Sequence, residues 1–286
     1  VPGTRARNLD QDLGRPAVQY DSLMPAGPPE VSPFGRQVRR WRGIRRMSQL
    51  DLAIAAGTTA RHLSFVETGR SRPGKDVVLR IAEALRVPLP ERNTLLAAAG
   101  LPPAFPAHDL GSQAMEPVDR VLEKVLRGHE PYPAWVVRHP FTFLRANAGA
   151  EALFPGLTQL SPGQLIDVWF GPGPFQERVL NWPDVVQAGL TALQRAAADT
   201  GDAEAIRLLQ RAQAHAHDRP VLPQPHAESW PVVCPVFELD GRVVRTISAV
   251  MMFDTAIEVT TSQLRVELMF PADEDADEYF RTRGPA

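Results

Sequence analysis

The chain has 286 residues, a formal net charge of −2, 44% hydrophobic and 22% charged residues, which is length for two domains and the composition of a globular rather than a fibrous or disordered protein. A single cysteine, Cys234, excludes an intrachain disulfide framework and a cysteine-based zinc site, and no apolar run approaches the length of a membrane span. The small net charge hides an asymmetry: residues 36–80 hold eleven Lys/Arg against three Asp/Glu, whereas residues 101–286 hold fifteen against twenty-four, so one region suits a polyanion and the other has a different task.

Residues 1–32 are rich in Pro, Gly and charge without periodicity, and read as a flexible arm. Ser32-Pro33 then supplies an N-cap and a first-turn proline for a helix whose Phe34, Val38, Trp41 and Arg45 share a face. Ser48 caps a second helix running to Ala56, and Gly57 makes the turn into a third from about Thr59 to Thr68. Ala53 stands four positions before Gly57, with Leu63 six after it and Val66 three further on. That is helix-turn-helix spacing: a small residue where helices cross, a glycine for positive φ, and apolar residues three apart on the buried face. The opposite face, with Thr59, Ala60, Arg61, His62, Ser64 and Phe65, is then free for a DNA major groove. Helices over Lys75–Leu85 and Pro90–Ala99 complete an all-α domain over 33–100.

A proline-bearing linker over 101–116 leads to a helix at Pro117–Arg127. The texture then changes. Ala134–Val137 and Thr142–Ala146 read as strands, Asn147–Phe154 as a short helix, and Pro155–Pro174 as a buried loop with a helical turn. Helices are expected over Pro183–Ala198 and Asp202–His217. Strands follow at Ser229–Leu239, Arg242–Asp254 and Val259–Phe270, the first two joined by an Asp240-Gly241 hairpin. In the last, Leu264, Val266, Leu268 and Phe270 alternate with Gln263, Arg265 and Glu267, as in a strand with one face in water. Asp273–Glu278 reads as a solvated acidic run, or the first turn of a final helix.

Residues 34–100 resemble the phage-repressor/Cro-like (XRE) helix-turn-helix family. Gln49, Ala53, Gly57, Leu63, Val66-Glu67-Thr68-Gly69 and Arg72-Pro73 carry the resemblance. It implies that Gln49 holds a phosphate at a helix N-terminus, that Thr59 meets the backbone, and that Arg61 pairs with guanine. Phe65 takes a place where many relatives have a polar reader; it either meets a thymine methyl or packs. Arg70, Arg72 and Lys75 are phosphate contacts on this reading, and Arg42 and Glu67 form a structural pair. The family usually binds palindromic double-stranded operators as dimers, so a homodimer is expected.

Residues 117–284 resemble the MmyB-like transcription-regulator ligand-binding domain, of PAS-like fold, on Tyr132-Pro133-Ala134-Trp135-Val136-Val137, Leu144-Arg145-Ala146-Asn147-Ala148, Asn181-Trp182 and the late strands. The fold class expected is thus α+β: an all-α helix-turn-helix domain plus a PAS-like domain, 117–286, with an antiparallel sheet. The expected cavity lining is Trp135, Val137, Phe143, Phe154, Trp169 and Phe170, with Trp182, Val186, Leu190, Phe237, Met251 and Phe253. Aromatic and methionine side chains suit an apolar ligand; the resemblance implies a fatty acid or similar acyl compound. Its carboxylate needs a cation or amide, and Arg145, Asn147, Arg138 and Arg178 are candidates.

No catalytic motif or metal set stands out: His215 and His217 do not share a helix face, and His226 stands alone. The expectation is a ligand-responsive, DNA-binding transcription regulator, cytoplasmic because the N-terminus lacks a signal pattern, with no cofactor. The alternative is a regulator whose C-terminal domain is a ligand-free dimerisation or protein-interaction module.

Overall fold

The computed structural model describes residues 31–217 and 232–283. Most of the expected arm, His226 and the start of the Ser229–Leu239 strand lie outside the described residues. The helical region comprises α1 (Pro33–Arg45), α2 (Gln49–Ala55), α3 (Ala60–Glu67), α4 (Lys75–Ala84) and α5 (Leu89–Ala98). Local chemistry sets the starts. The Ser32 hydroxyl accepts from Gly35 N–H with Pro33 in the first turn, Ser48 and Asp51 form a reciprocal capping box, and Thr59 caps α3 by accepting from His62 N–H. Gly57 has φ +62° and Gly69 φ +74°, the left-handed turns that end α2 and α3. Phe34, Val38, Trp41, Leu52, Leu63, Val66, Ile81 and Leu95 are buried together.

The remainder pairs a sheet with helices on both faces. After α6 (Glu116–Gly128) come β1 (Ala134–Arg138), β2 (Thr142–Ala146), α7 (Ala148–Leu153), α8 (Pro162–Phe170), α9 (Pro174–Arg178), α10 (Trp182–Thr200) and α11 (Ala203–His217). The chain closes with β3 (Val236–Leu239), β4 (Arg242–Met252), α12 (Val259–Gln263), β5 (Leu264–Pro271) and α13 (Glu274–Arg283). The five strands lie in the order β2-β1-β5-β4-β3, every pair antiparallel. This is the α+β architecture expected. The hairpin at Asp240-Gly241 has φ +52° and +74°, the doubly positive turn whose twist suits adjoining strands.

Several expectations need correction. Pro155–Pro174 is not a loop: Ser161 and Gln164 make a capping box, Pro162 takes the first turn, and α8 runs nine residues. Val259–Gln263 is helical rather than strand, capped by Glu258 accepting from Thr261 N–H. The acidic run takes the second of its two readings: it opens α13, with Asp273 paired to Arg245 and Asp277 accepting from Tyr132 Oη. β5 is not an edge strand with one face in water: it lies between β1 and β4 at the centre of the sheet, with apolar clusters on both sides, Arg265 and Glu267 half-buried and only Phe270 near its end exposed. Leu264, Val266 and Leu268 pack on the α6 side; Glu267 and Met269 look the other way, towards an aromatic cluster under α7–α11.

Candidate DNA-binding face and ligand pocket

The first site is built around Glu67, the last residue of α3 and fully buried. Its carboxylate accepts from Arg42 Nε at 2.8 Å and Nη2 at 3.3 Å, from Arg39 Nε at 3.2 Å, and from Gln49 Nε2 at 2.7 Å. The expected Arg42–Glu67 pair is thus part of a larger lock between α1, α2 and α3. A charge buried without such partners would cost several kcal/mol. Gln49 is corrected in part: one amide hydrogen is committed to Glu67, and the Asp51 carboxylate caps the same helix end. Hydrogen bonds from Ser48 hold that carboxyl below its ordinary value, so the end already faces an anion.

The lock aims the opposite side of α3 outward. Arg61 is exposed, Ala60, His62, Ser64 and Phe65 are half-buried, and Thr59 is exposed while capping. Phe65 is no bare apolar reader. The Arg61 guanidinium lies 5.4 Å from its ring centre and that of Arg70 lies 6.0 Å away, so the ring sits between two cations. Arg70, Arg72 and Lys75 are exposed in and after the loop behind α3. Gly35 was not anticipated. A Cβ there would stand 1.9 Å from the Glu67 carbonyl oxygen, so only glycine lets α1 approach α3.

The second site is a cavity of 280 Å³ between the sheet and α10. Of the residues expected to line it, Trp135, Phe154, Trp169 and Phe237 do. Val137, Phe143, Phe170, Trp182, Val186 and Leu190 belong to the same apolar cluster but pack behind the wall. Met251 and Phe253 are corrected: they lie on the far face of the sheet, against α6. Strand alternation sends them there. Phe175 completes the aromatic wall, stacked on Trp169 with ring centres 5.2 Å apart. Val185, Ala188, Gly189 and Ala192 bring one side of α10 to the cavity.

The expected head-group anchors are elsewhere. Asn147 is buried as the N-cap of α7: its Oδ1 accepts from Ala134 and Ala150 N–H, and its Nδ2 donates to the Leu126 and Tyr132 carbonyls. Its hydrogen-bonding capacity is used by the fold. Arg145 points to α6 and pairs with Asp119 at 2.5 Å. Arg138 is exposed at the end of β1, and Arg178 lines a separate 410 Å³ cleft with Glu238, Asp240, Tyr279 and Arg283. No Lys or Arg among the described residues lines the aromatic cavity. Its charged group is Glu267, which desolvation pushes above the ordinary carboxylate range.

Residues 118–282 match the family described as the MmyB-like transcription regulator ligand binding domain, and residues 33–95 match a helix-turn-helix domain family. The chain belongs to the MmyB-like transcription regulators. It is also 33% identical over 106 residues to a protein of Bacillus subtilis (strain 168) described as an uncharacterized HTH-type transcriptional regulator, RghRB, an alignment covering 36% of this chain and 74% of that relative. These matches make it a DNA-binding transcription regulator with a ligand-binding domain, and point to regulation rather than catalysis. No helix among the described residues is long and apolar enough to cross a membrane.

In this MmyB-like regulator the two sites are joined by contacts that sequence patterning did not expose. The last carbonyls of α10 face α1: Asp199 accepts from Arg45 Nη2 at 2.9 Å, and Thr200 from Arg40 Nη2 at 3.3 Å; Gly201 also accepts from Arg40. Cations at a helix C-terminus are favoured by its dipole. Gly201 has φ +57°, and a Cβ there would meet Arg40 Nη2 at 2.6 Å and Ile44 Cδ1 at 2.9 Å. A second strap runs through the linker, where Val259 N–H donates to the Pro106 carbonyl at 2.8 Å and His108 N–H to Glu258 at 2.7 Å. Such partners lie more than a hundred residues apart, beyond any local signal.

Proposed function

We propose that this regulator binds an operator as a cytoplasmic homodimer, with Arg61 reading bases and Arg70, Arg72 and Lys75 holding phosphates. A small apolar ligand in the aromatic cavity then changes DNA affinity. The observation that supports this most is the course of α10. One stretch of the helix walls the cavity, and its final carbonyls grip Arg40 and Arg45 of α1, the helix that also supplies Arg39 and Arg42 to Glu67. The helix is about 28 Å long at 1.5 Å per residue, a rigid lever between input and output. A ligand shifts DNA affinity only as far as it binds two placements of that lever unequally.

An acyl chain suits the apolar wall, which keeps the fatty-acid-like class in view, but the carboxylate of a free fatty acid meets no cation among the described residues there. The test is fluorescence anisotropy with duplex DNA from the protein's own upstream region, at several salt concentrations. Binding that weakens with salt, and an Arg61→Ala variant that weakens it by about tenfold or more, support the reading. Salt-independent binding, or binding untouched by Arg61→Ala, contradicts it.

A further inference from the structure

Two polar groups in the aromatic cavity have no partner among the described residues. Trp135 is 4% exposed and its indole Nε1 is buried without an acceptor. Glu267 makes no hydrogen bond or ion pair there. They belong together, because Trp135 and Glu267 are paired positions in the β1–β5 ladder and both side chains line the cavity. Cross-strand partners have Cβ atoms about 5 Å apart. An indole N–H only donates, whereas the Glu267 carboxyl accepts when ionised and also donates when protonated. Leaving the indole N–H unmet costs about 1–3 kcal/mol, and the rest of the wall is mainly aromatic and aliphatic.

We infer that the cavity selects a ligand whose polar end both donates and accepts hydrogen bonds, as an alcohol or a carboxamide does, and discriminates against a free carboxylate. The inference rests on the reading of this cavity as the ligand site. A hydroxyl or amide N–H donates to Glu267 while its oxygen accepts from Trp135 Nε1. Both groups are then satisfied without burying new charge. A carboxylate satisfies Trp135 but sets a second anion beside an ionised Glu267, with no cation among the described residues of the wall to offset it. The surrounding rings of Phe154, Trp169, Phe175 and Phe237 leave the alkyl body in apolar contact.

The test is isothermal titration of the full chain at neutral pH with decan-1-ol, decanamide, decanoate and decylamine, each below its aggregation limit. Decanol or decanamide binding at least about tenfold tighter than decanoate and decylamine supports the inference, tenfold being 1.4 kcal/mol. Glu267→Gln, which adds an amide donor, is expected to erase most of the bias against decanoate. Trp135→Phe, which keeps a ring and removes the N–H, is expected to weaken decanamide several-fold. Decanoate or decylamine binding as tightly as the neutral pair overturns the inference while leaving a ligand cavity. The same holds for a decanoate bias unchanged in a folded Glu267→Gln. If none of the four binds, both the inference and the cavity reading fail. The wild-type series needs no variant, so misfolding of a variant does not blunt it.

Discussion

Two glutamates organise the two halves of this molecule, and they are used in opposite ways. Glu67 is fully buried and meets Arg39, Arg42 and Gln49; Glu267 is partly buried among aromatic rings and meets no partner among the described residues. A buried carboxylate with its hydrogen bonds made is architecture: three helices are fixed so that other residues can face DNA. A half-buried carboxyl beside a buried, unmet indole N–H is a recognition feature, because the molecule carries the cost of that N–H until something complementary arrives. Charge alone does not distinguish the two. The partners do.

The comparison breaks most easily at Glu67. Glu67→Ala removes the buried acceptor that Arg39, Arg42 and Gln49 share, and an expected loss of about 3–5 kcal/mol destabilises the helical domain. Urea unfolding followed by circular dichroism checks this; a variant of wild-type stability would mean that the network is ornamental. Next in size is Arg61→Ala. Here stability should hold while affinity for the preferred operator falls by about 1–3 kcal/mol and discrimination between sequences relaxes. Loss of fold instead of specificity would move Arg61 to the architectural side. Arg72→Ala and Lys75→Ala should weaken all DNA sequences alike, each reducing the slope of log K against log salt by about one.

The smallest expected effect concerns α8, the helix that carries Trp169 of the cavity wall. Asp167, on α8, bonds to Arg211 and His215 of α11, and chiefly the Arg211 hydrogen bonds hold its carboxyl at about 2, below the ordinary 3.8. A depressed carboxylate stabilises the fold above its unfolded pKa and loses that contribution as pH falls through the folded value. The stability difference between wild type and Asp167→Asn should therefore be constant near neutrality and vanish between pH 3.8 and about 2. The side chain is 38% exposed, so solvent screening keeps the difference under about 1 kcal/mol. Thermal melts across that window are the check; a difference that grows on acidification contradicts the pairing.

What was legible in the sequence was local. Ser32-Pro33, Ser48, Gly57 and Asp240-Gly241 each act on residues within a few positions, so the helix-turn-helix and the hairpin stood out. Ser161-Pro162 with Gln164 carried the same kind of signal and was masked by the glycines and prolines around it. The sites were less legible because their logic is long-range. Nothing near Asn147 reveals that Ala134, Leu126 and Tyr132 use up its amide. Nothing near Met251 says which face of the sheet it joins. Glu267 looked like a residue facing water until β5 proved to be the central strand. A charged residue at an alternating position of a central strand was the signal available, and it needed the strand order to be read.

The account's central claim is that the cavity and the DNA-binding face are coupled through α10. The direct measurement is operator affinity by anisotropy, with and without saturating decan-1-ol, in wild type and in Ala188→Trp, which fills the cavity from α10. The account predicts an affinity shift of about fivefold or more in wild type, within the 1–3 kcal/mol usual for such coupling. It also predicts a fixed, unresponsive affinity in the filled variant. Wild-type affinity that ignores the bound alcohol, with Ala188→Trp folded and binding DNA as wild type does, would contradict it.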